Sequence, residues 1–192
     1  MTELGLILFG ALLVNNFALA QSLGLCPFMG ITHSVDTAFA TGLATAFVLP
    51  LAAVTSHALH HYLLVPLNLT YLNIIVFIIV IAGLVQAIQL FLKATSPLLH
   101  QVLGVYLPLI TSNCAILGVT LLTIGQELTL LATLAFSAGT SAGFTLVMVL
   151  FGAMREQLAQ SDLPTAFAGT PIILLSAGLM SLAFMGFQGI GS

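Results

Sequence analysis

Scarcity of charge is the feature of this sequence that most restricts its fold. The 192 residues include two basic and five acidic side chains, so charged residues make up 4% of the chain, while hydrophobic residues make up 60%. An ordinary soluble domain has about 25% charged residues. A chain with so few charges has no solvated polar surface. The sequence therefore predicts an integral membrane protein embedded in the lipid bilayer. It excludes a soluble enzyme, a disordered chain and a protein that binds nucleic acid through a basic surface.

Apolar segments alternate with short polar or proline-containing breaks along the whole chain. Six of these segments reach the length of about 20 residues that a helix needs to cross a bilayer. They are Leu4–Leu25, Ala38–Leu63, Leu69–Leu92, Leu98–Leu122, Leu128–Met154 and Thr170–Phe187. We therefore predict an all-α integral membrane protein with six transmembrane helices, in which residues 1–192 form a single membrane domain.

The two basic side chains predict the orientation. Lys93 lies in the third predicted loop and Arg155 in the fifth. With six spans these loops are on the same side of the membrane, which the positive-inside rule makes the cytoplasmic side. The N- and C-termini are then expected on the periplasmic side.

Two similar segments surround the two cysteines. Cys26 lies in Leu-Gly-Leu-Cys-Pro-Phe-Met-Gly and Cys114 in Thr-Ser-Asn-Cys-Ala-Ile-Leu-Gly, so each precedes a glycine by the same spacing. A duplicated unit of three spans must be inverted, because three is odd. We therefore predict an inverted three-plus-three repeat, with residues 1–95 as the first half and residues 96–192 as the second. Such repeats bring interrupted helices together near the membrane midplane.

The helices are expected to be interrupted at the cysteines. Glycine and proline flank Cys26, and Thr-Ser-Asn precedes Cys114, so both segments suit non-helical backbone that lines a site enclosed by protein. Cys26 and Cys114 are then expected close together in space. The alternative is that both are small buried side chains with packing roles.

Two thiolates make an incomplete metal site. Iron–sulfur clusters and structural zinc normally take four ligands, and no histidine or carboxylate lies beside either Cys26 or Cys114. If the cysteines bind metal, the other two ligands must come from elsewhere. A partner subunit with its own cysteine pair would complete the set.

Other polar residues allow two interpretations each. His57, His60 and His61 form a cluster at the end of the second span, where interfacial positions are favoured over a metal or haem site. Amides and hydroxyls within the spans suit helix–helix contacts, with a place near an ion or cofactor path as the alternative; they are Asn15, Asn16, Thr111, Ser112 and Asn113. We expect Gln86 and Gln89 to be structural.

The cysteine segments and several further motifs resemble the RnfA/NqrE family of membrane subunits. The matching segments are Asn15–Leu19, Leu23–Gly30, Pro66–Leu69, Leu107–Ala115, Leu146–Phe151, Arg155–Glu156 and Ala177–Phe187. Together they extend over essentially the whole chain. The sequence Cys26-Pro27-Phe28 is similar to the RnfA branch rather than the NqrE branch, which lacks this proline.

The resemblance implies a subunit of the Rnf complex of the bacterial inner membrane. That complex transfers electrons between ferredoxin and NAD and couples this to translocation of Na⁺ or H⁺. The resemblance also implies a [2Fe–2S] cluster shared with a homologous RnfE-like subunit, with Cys26 and Cys114 as two of its four ligands. Further implied partners are subunits of the RnfB, RnfC, RnfD and RnfG types, while this chain binds no flavin or nucleotide and is not an enzyme alone.

Two alternatives to this function stay open. One is an NqrE-like subunit of a Na⁺-translocating NADH:quinone reductase. The other is a small-solute transporter with an inverted repeat and no redox role, since broken helices and polar residues at the midplane are typical of transporters as well.

Overall fold

The computed structural model describes residues 24–31, 34–66, 70–95, 110–161 and 169–188, together with Gly5, Leu8 and Gly10. Several predictions lie outside the described residues. They concern most of the first span, residues 98–109 of the fourth span, Asn15 and Asn16.

The described part of the chain is helical and contains no strand. Its helices are α1 (Leu25–Ile31), α2 (Val35–Leu59), α3 (Asn73–Thr95), α4 (Cys114–Gly125), α5 (Leu130–Ala159) and α6 (Thr170–Gln188). A π-helical turn, His60–Leu64, continues α2, and a 3₁₀ turn, Thr70–Leu72, precedes α3.

Among the described helices, three are long and apolar enough to cross a bilayer. They comprise Val35–Leu64, Asn73–Phe91 and Leu130–Ala159, with 30, 19 and 30 residues. These helices coincide with the second, third and fifth predicted spans. Helix α6 coincides with the sixth and is apolar, with a slightly shorter apolar stretch at Thr170–Gly186.

The fourth predicted segment is not one continuous helix. Ile110 and Thr111 are helical, the backbone then leaves the helix at Ser112 and Asn113, and α4 begins at Cys114. Asn113 has extended dihedral angles, φ −71° and ψ 111°, and its side-chain oxygen accepts a hydrogen bond from the N–H of Ala115. An asparagine in this position caps a helix, because it satisfies an amide that has no partner within the helix.

The main packing contact joins α2 and α5, which run antiparallel. Near its start, α2 meets the end of α5, where the N–H of Val35 donates to Oε1 of Glu156 at 3.2 Å. Further along, the hydroxyl of Thr145 donates to the carbonyl oxygen of Gly42 at 3.0 Å. The small residues of Ser137–Gly143 lie on the same helix, and most of them are buried. Small side chains at this contact let the two backbones approach closely.

The helix pair has polar residues inside and apolar residues outside. On α2 the buried face includes Thr41 and Thr45, whereas Phe39, Leu43 and Phe47 are exposed. This is the reverse of a soluble helix. It suits a chain surrounded by lipid, where an outward apolar surface is stable and hydroxyls face protein.

Two apolar clusters attach the remaining helices to this pair. The first joins α2, α3, α4 and α5 and contains Leu49, Val85, Val119 and Phe136 among its members. The second joins α4 to α5, through Ala115, Phe144 and Phe151, with residues of α6 packed against it. The second cluster forms the floor beneath the cysteine segments.

The two basic residues lie within helices, although the sequence suggests loops at these positions. Lys93 belongs to the last turns of α3, and Arg155 precedes the end of α5 by four residues. Long basic side chains can extend toward water from a helix end, so a helix need not stop at its first charge.

Candidate functional site

One hydrogen bond joins the two cysteine segments across the fold. The backbone N–H of Gly24 donates to Sγ of Cys114, and the N···S distance is 2.9 Å. These atoms are 90 positions apart in sequence. Since Gly24 precedes Cys26 by two residues, the bond places the chain that carries Cys26 directly against the Cys114 segment.

Gly24 occupies a position that suits no other residue type. Its φ is +88°, in the left-handed region that glycine adopts without steric cost. A Cβ atom here would lie 2.8 Å from Cε2 of Phe144 and 3.3 Å from Cβ of Ala115. Gly24 is buried as a result, and α1 starts immediately after this turn.

Cys114 lies at the first position of α4, where N–H groups have no acceptor within the helix. Its side chain is partly exposed, while the preceding Asn113 is 3% exposed and holds the turn in place. The positive end of a helix dipole favours negative charge at this position. The Cys114 sulfur therefore has two sources of electrostatic support, the helix end and the Gly24 amide.

Cys26 faces outward from α1. Its side chain is exposed, whereas the neighbouring Pro27 is buried against the protein. Both cysteines are free thiols. Within the described residues, no group of three or more histidine, cysteine or acidic side chains is arranged to hold a metal ion. The described part of the chain therefore offers two soft sulfur ligands, one of them open to a neighbouring molecule.

The histidine cluster connects helices at the opposite end of α2. Nε2 of His57 lies 2.9 Å from the carbonyl oxygen of Leu128, and Nδ1 of His60 lies 3.2 Å from Oδ1 of Asn73. The three histidines line a cleft of about 450 Å³ together with Glu127. Two of the imidazoles thus have contacts within the protein, which agrees better with a structural role than with a haem or metal site.

A second cleft lies close to the Cys114 segment. It has a volume of about 370 Å³, and its polar lining residues are Gln86, Gln89, Thr111 and Ser112. The amides of α3 thus face the same space as the hydroxyls that precede Cys114. Gln86 and Gln89 are therefore nearer to the candidate site than their place on a separate span suggests.

Two contributors to the site are not apparent in the sequence. Phe144 lies on α5, far from either cysteine in sequence, yet its ring closes the space around Gly24. The amide of Gly24 is the other, because a glycine before a cysteine gives no sign of which distant side chain it contacts. The Leu-Gly-Leu-Cys pattern indicates a turn there, but not its partner.

Comparison with known proteins agrees with the membrane character and the helical architecture. Residues 4–191 match the model of a family described as Rnf-Nqr subunit, membrane protein. The chain belongs to the Rnf-Nqr family. The resemblance seen in the cysteine motifs is thereby confirmed over nearly the full length.

Relatives within the Rnf-Nqr family are similar to the chain from end to end. A protein of Alcanivorax borkumensis is 56% identical over 191 residues, covering 99% of this chain and 98% of the relative. A protein of Pseudomonas aeruginosa is 54% identical over 191 residues with the same coverage. One from Pseudoalteromonas translucida is 53% identical over 190 residues, again with 99% and 98% covered. All three are named as the A-type component of an ion-translocating oxidoreductase complex.

Proposed function

We propose that this chain is the RnfA-type component of an Rnf-type ion-translocating oxidoreductase complex in a bacterial inner membrane. The complex transfers electrons between ferredoxin and NAD and couples the transfer to translocation of Na⁺ or H⁺. This chain contributes Cys26 and Cys114 to a [2Fe–2S] cluster within the membrane. A homologous RnfE-like subunit contributes the other two ligands, and subunits of the RnfB, RnfC, RnfD and RnfG types complete the assembly.

The observation that carries this proposal is the contact between the two cysteine segments. The hydrogen bond from Gly24 to Cys114 brings both segments to one place in the fold. Thiolates are the ligands that iron–sulfur clusters take. With one cysteine exposed and the other partly exposed, both sulfurs are available to a group at the edge of the protein, where a partner can supply the remaining ligands.

The proposed arrangement in the membrane follows the repeat. Six spans form an inverted three-plus-three repeat, with residues 1–95 and 96–192 as its halves and both termini in the periplasm. The start of α4 at Cys114 and the turn before α1 supply the irregular backbone that such a site requires. Irregular backbone at membrane depth is stable where it is enclosed by protein.

Each residue of the site has a distinct role in this proposal. The cluster would supply one-electron chemistry when bound. Cys26 and Cys114 hold it, and Asn113 fixes the turn from which Cys114 projects. Phe144 and Phe151, both buried, keep water away from the floor of the site. A low-dielectric floor makes the charge at the sulfurs sensitive to nearby dipoles.

Replacing Cys26 with serine tests the proposal. The complex purified with Cys26→Ser is expected to lose the electron paramagnetic resonance (EPR) signal of a reduced [2Fe–2S] cluster, because a hydroxyl is a poor substitute for a thiolate ligand. Iron content should fall with the signal, by two atoms for one cluster. The readouts are iron analysis and EPR of the dithionite-reduced complex.

Met29→Leu is the matched control. Met29 lies on the same short helix and is exposed, so this change also removes an exposed sulfur from α1 but no thiol. It should leave the signal unchanged. A Cys26→Ser complex that retains full cluster iron and the full signal would contradict the proposal. A complex without cluster iron that still transports a solute would instead support a transporter.

A further inference from the structure

We infer that Gly24 is a positioning residue that holds the sulfur of Cys114 and sets the reduction potential of the group bound there. The inference rests on the proposed function, because it assigns a role toward the same cluster. Its basis is the backbone amide of Gly24, whose hydrogen lies between the two cysteine segments and points at sulfur. The role thus belongs to the main chain and not to any side chain.

The first argument is the fixed geometry of this donor. The N···S distance is 2.9 Å, and Gly24 is buried between Phe144, Ala115 and Asn113. Its φ of +88° turns the chain so that the N–H faces the Cys114 segment while α1 begins on the other side. The amide is therefore held by the packing around it and is shielded from water.

The second argument is electrostatic. An N–H group that donates to a cluster sulfur places a partial positive charge beside the added electron, so it stabilises the reduced form. Hydrogen bonds to sulfur and solvent exposure are among the factors that set cluster potentials. The effect is larger where water is excluded, because the local dielectric is low. Loss of the Gly24 contact should therefore make the midpoint potential more negative.

The Gly24→Ala substitution is expected to break this contact. Its Cβ would lie 2.8 Å from a carbon of the Phe144 ring, closer than side-chain atoms pack, and the residue would keep an unfavourable positive φ. The segment before α1 must then move away from Cys114. We expect the cluster to remain, because both thiols are present, but with a more negative midpoint potential in a redox titration followed by EPR.

Isotope labelling examines the same contact without a substitution. In wild-type complex labelled with ¹⁵N only in glycine, pulsed EPR of the reduced cluster should detect a weakly coupled ¹⁵N nucleus. The Gly24→Ala complex, labelled in the same way, should lack that coupling. If Gly24→Ala fails to assemble, Gly24→Ala combined with Phe144→Leu makes room for the new methyl group, and the labelled wild type still gives a result.

Gly83→Ala is the matched control. Gly83 lies on α3, and a Cβ atom added there would meet no atom within 4 Å, so this change adds the same methyl group without a contact. Its potential and coupling should equal those of the wild type. An unchanged potential in Gly24→Ala, or no glycine ¹⁵N coupling in the wild type, overturns the inference about Gly24. A wild-type complex without any cluster signal would instead overturn the proposed function.

Discussion

Replacing Cys114 with serine is expected to abolish the EPR signal of the [2Fe–2S] cluster while the complex still assembles. Serine is close in size to cysteine, and its oxygen can accept the hydrogen bond from the N–H of Gly24. The turn at Asn113 and the start of α4 should therefore persist. Because a serine oxygen is a poor ligand for iron in place of a thiolate, the binding of the cluster should be lost without loss of the fold.

The measurement is EPR and iron analysis of the purified complex, with subunit stoichiometry from a denaturing gel. Gly125→Ala is a suitable control, since Gly125 is the last residue of the same helix and a Cβ there meets no atom within 4 Å. Cys114→Leu should behave differently, because it leaves the buried Gly24 amide without an acceptor and so destabilises the protein. A normal signal from the Cys114→Ser complex would show that this residue is no ligand.

Substitutions at Gly42 are expected to have the largest effect on stability. A Cβ on Gly42 would lie 2.6 Å from Cγ2 of Thr145 and 3.2 Å from its Cα, so part of the obstacle is backbone. Thr145 cannot rotate away easily, since its side chain is branched at Cβ and its hydroxyl also donates to Ser141. Gly42→Ala should cost about 1–3 kcal/mol as the helices separate. Gly42→Leu should prevent assembly of this chain into the complex.

The comparison is the temperature at which the detergent-solubilised complex loses this chain, measured by size-exclusion chromatography after heating. Gly83→Ala should be neutral or slightly stabilising, by up to about 1 kcal/mol, since alanine favours a helix over glycine. Thr145→Ser removes the obstructing methyl group and keeps the hydroxyl, so it should partly restore Gly42→Ala. If the Gly42→Ala and Gly83→Ala complexes dissociate at the same temperature, the close packing of α2 against α5 is wrong.

Much of the helical framework can be predicted from hydropathy. The second, third and fifth spans are recovered because long apolar segments have few stable alternatives in lipid. Their ends are less predictable. Lys93 and Arg155 lie within helices, since a charge near a helix end can reach water along its own side chain.

The site is harder to predict from the sequence than the helices are. The two cysteines stand out by composition and by the similarity of their segments, and Asn113 is a recognisable helix cap. The partner of Gly24 depends on how α5 packs, because Phe144 limits the space from a third segment of chain. Likewise, the spacing of small residues predicts a close helix contact, but not that Gly42 meets Thr145.

The buried hydroxyls of α2 and α5 have a mechanical consequence. Thr41 and Thr45 donate to carbonyls of their own helix, and Thr140 and Ser141 do the same on the facing helix. These bonds travel with each helix, so a small slide of α2 along α5 leaves them intact. The bond from Thr145 to Gly42, in contrast, fixes one relative position. The interface therefore works as a lubricated bearing with a catch, in which resistance to sliding is concentrated at a single point.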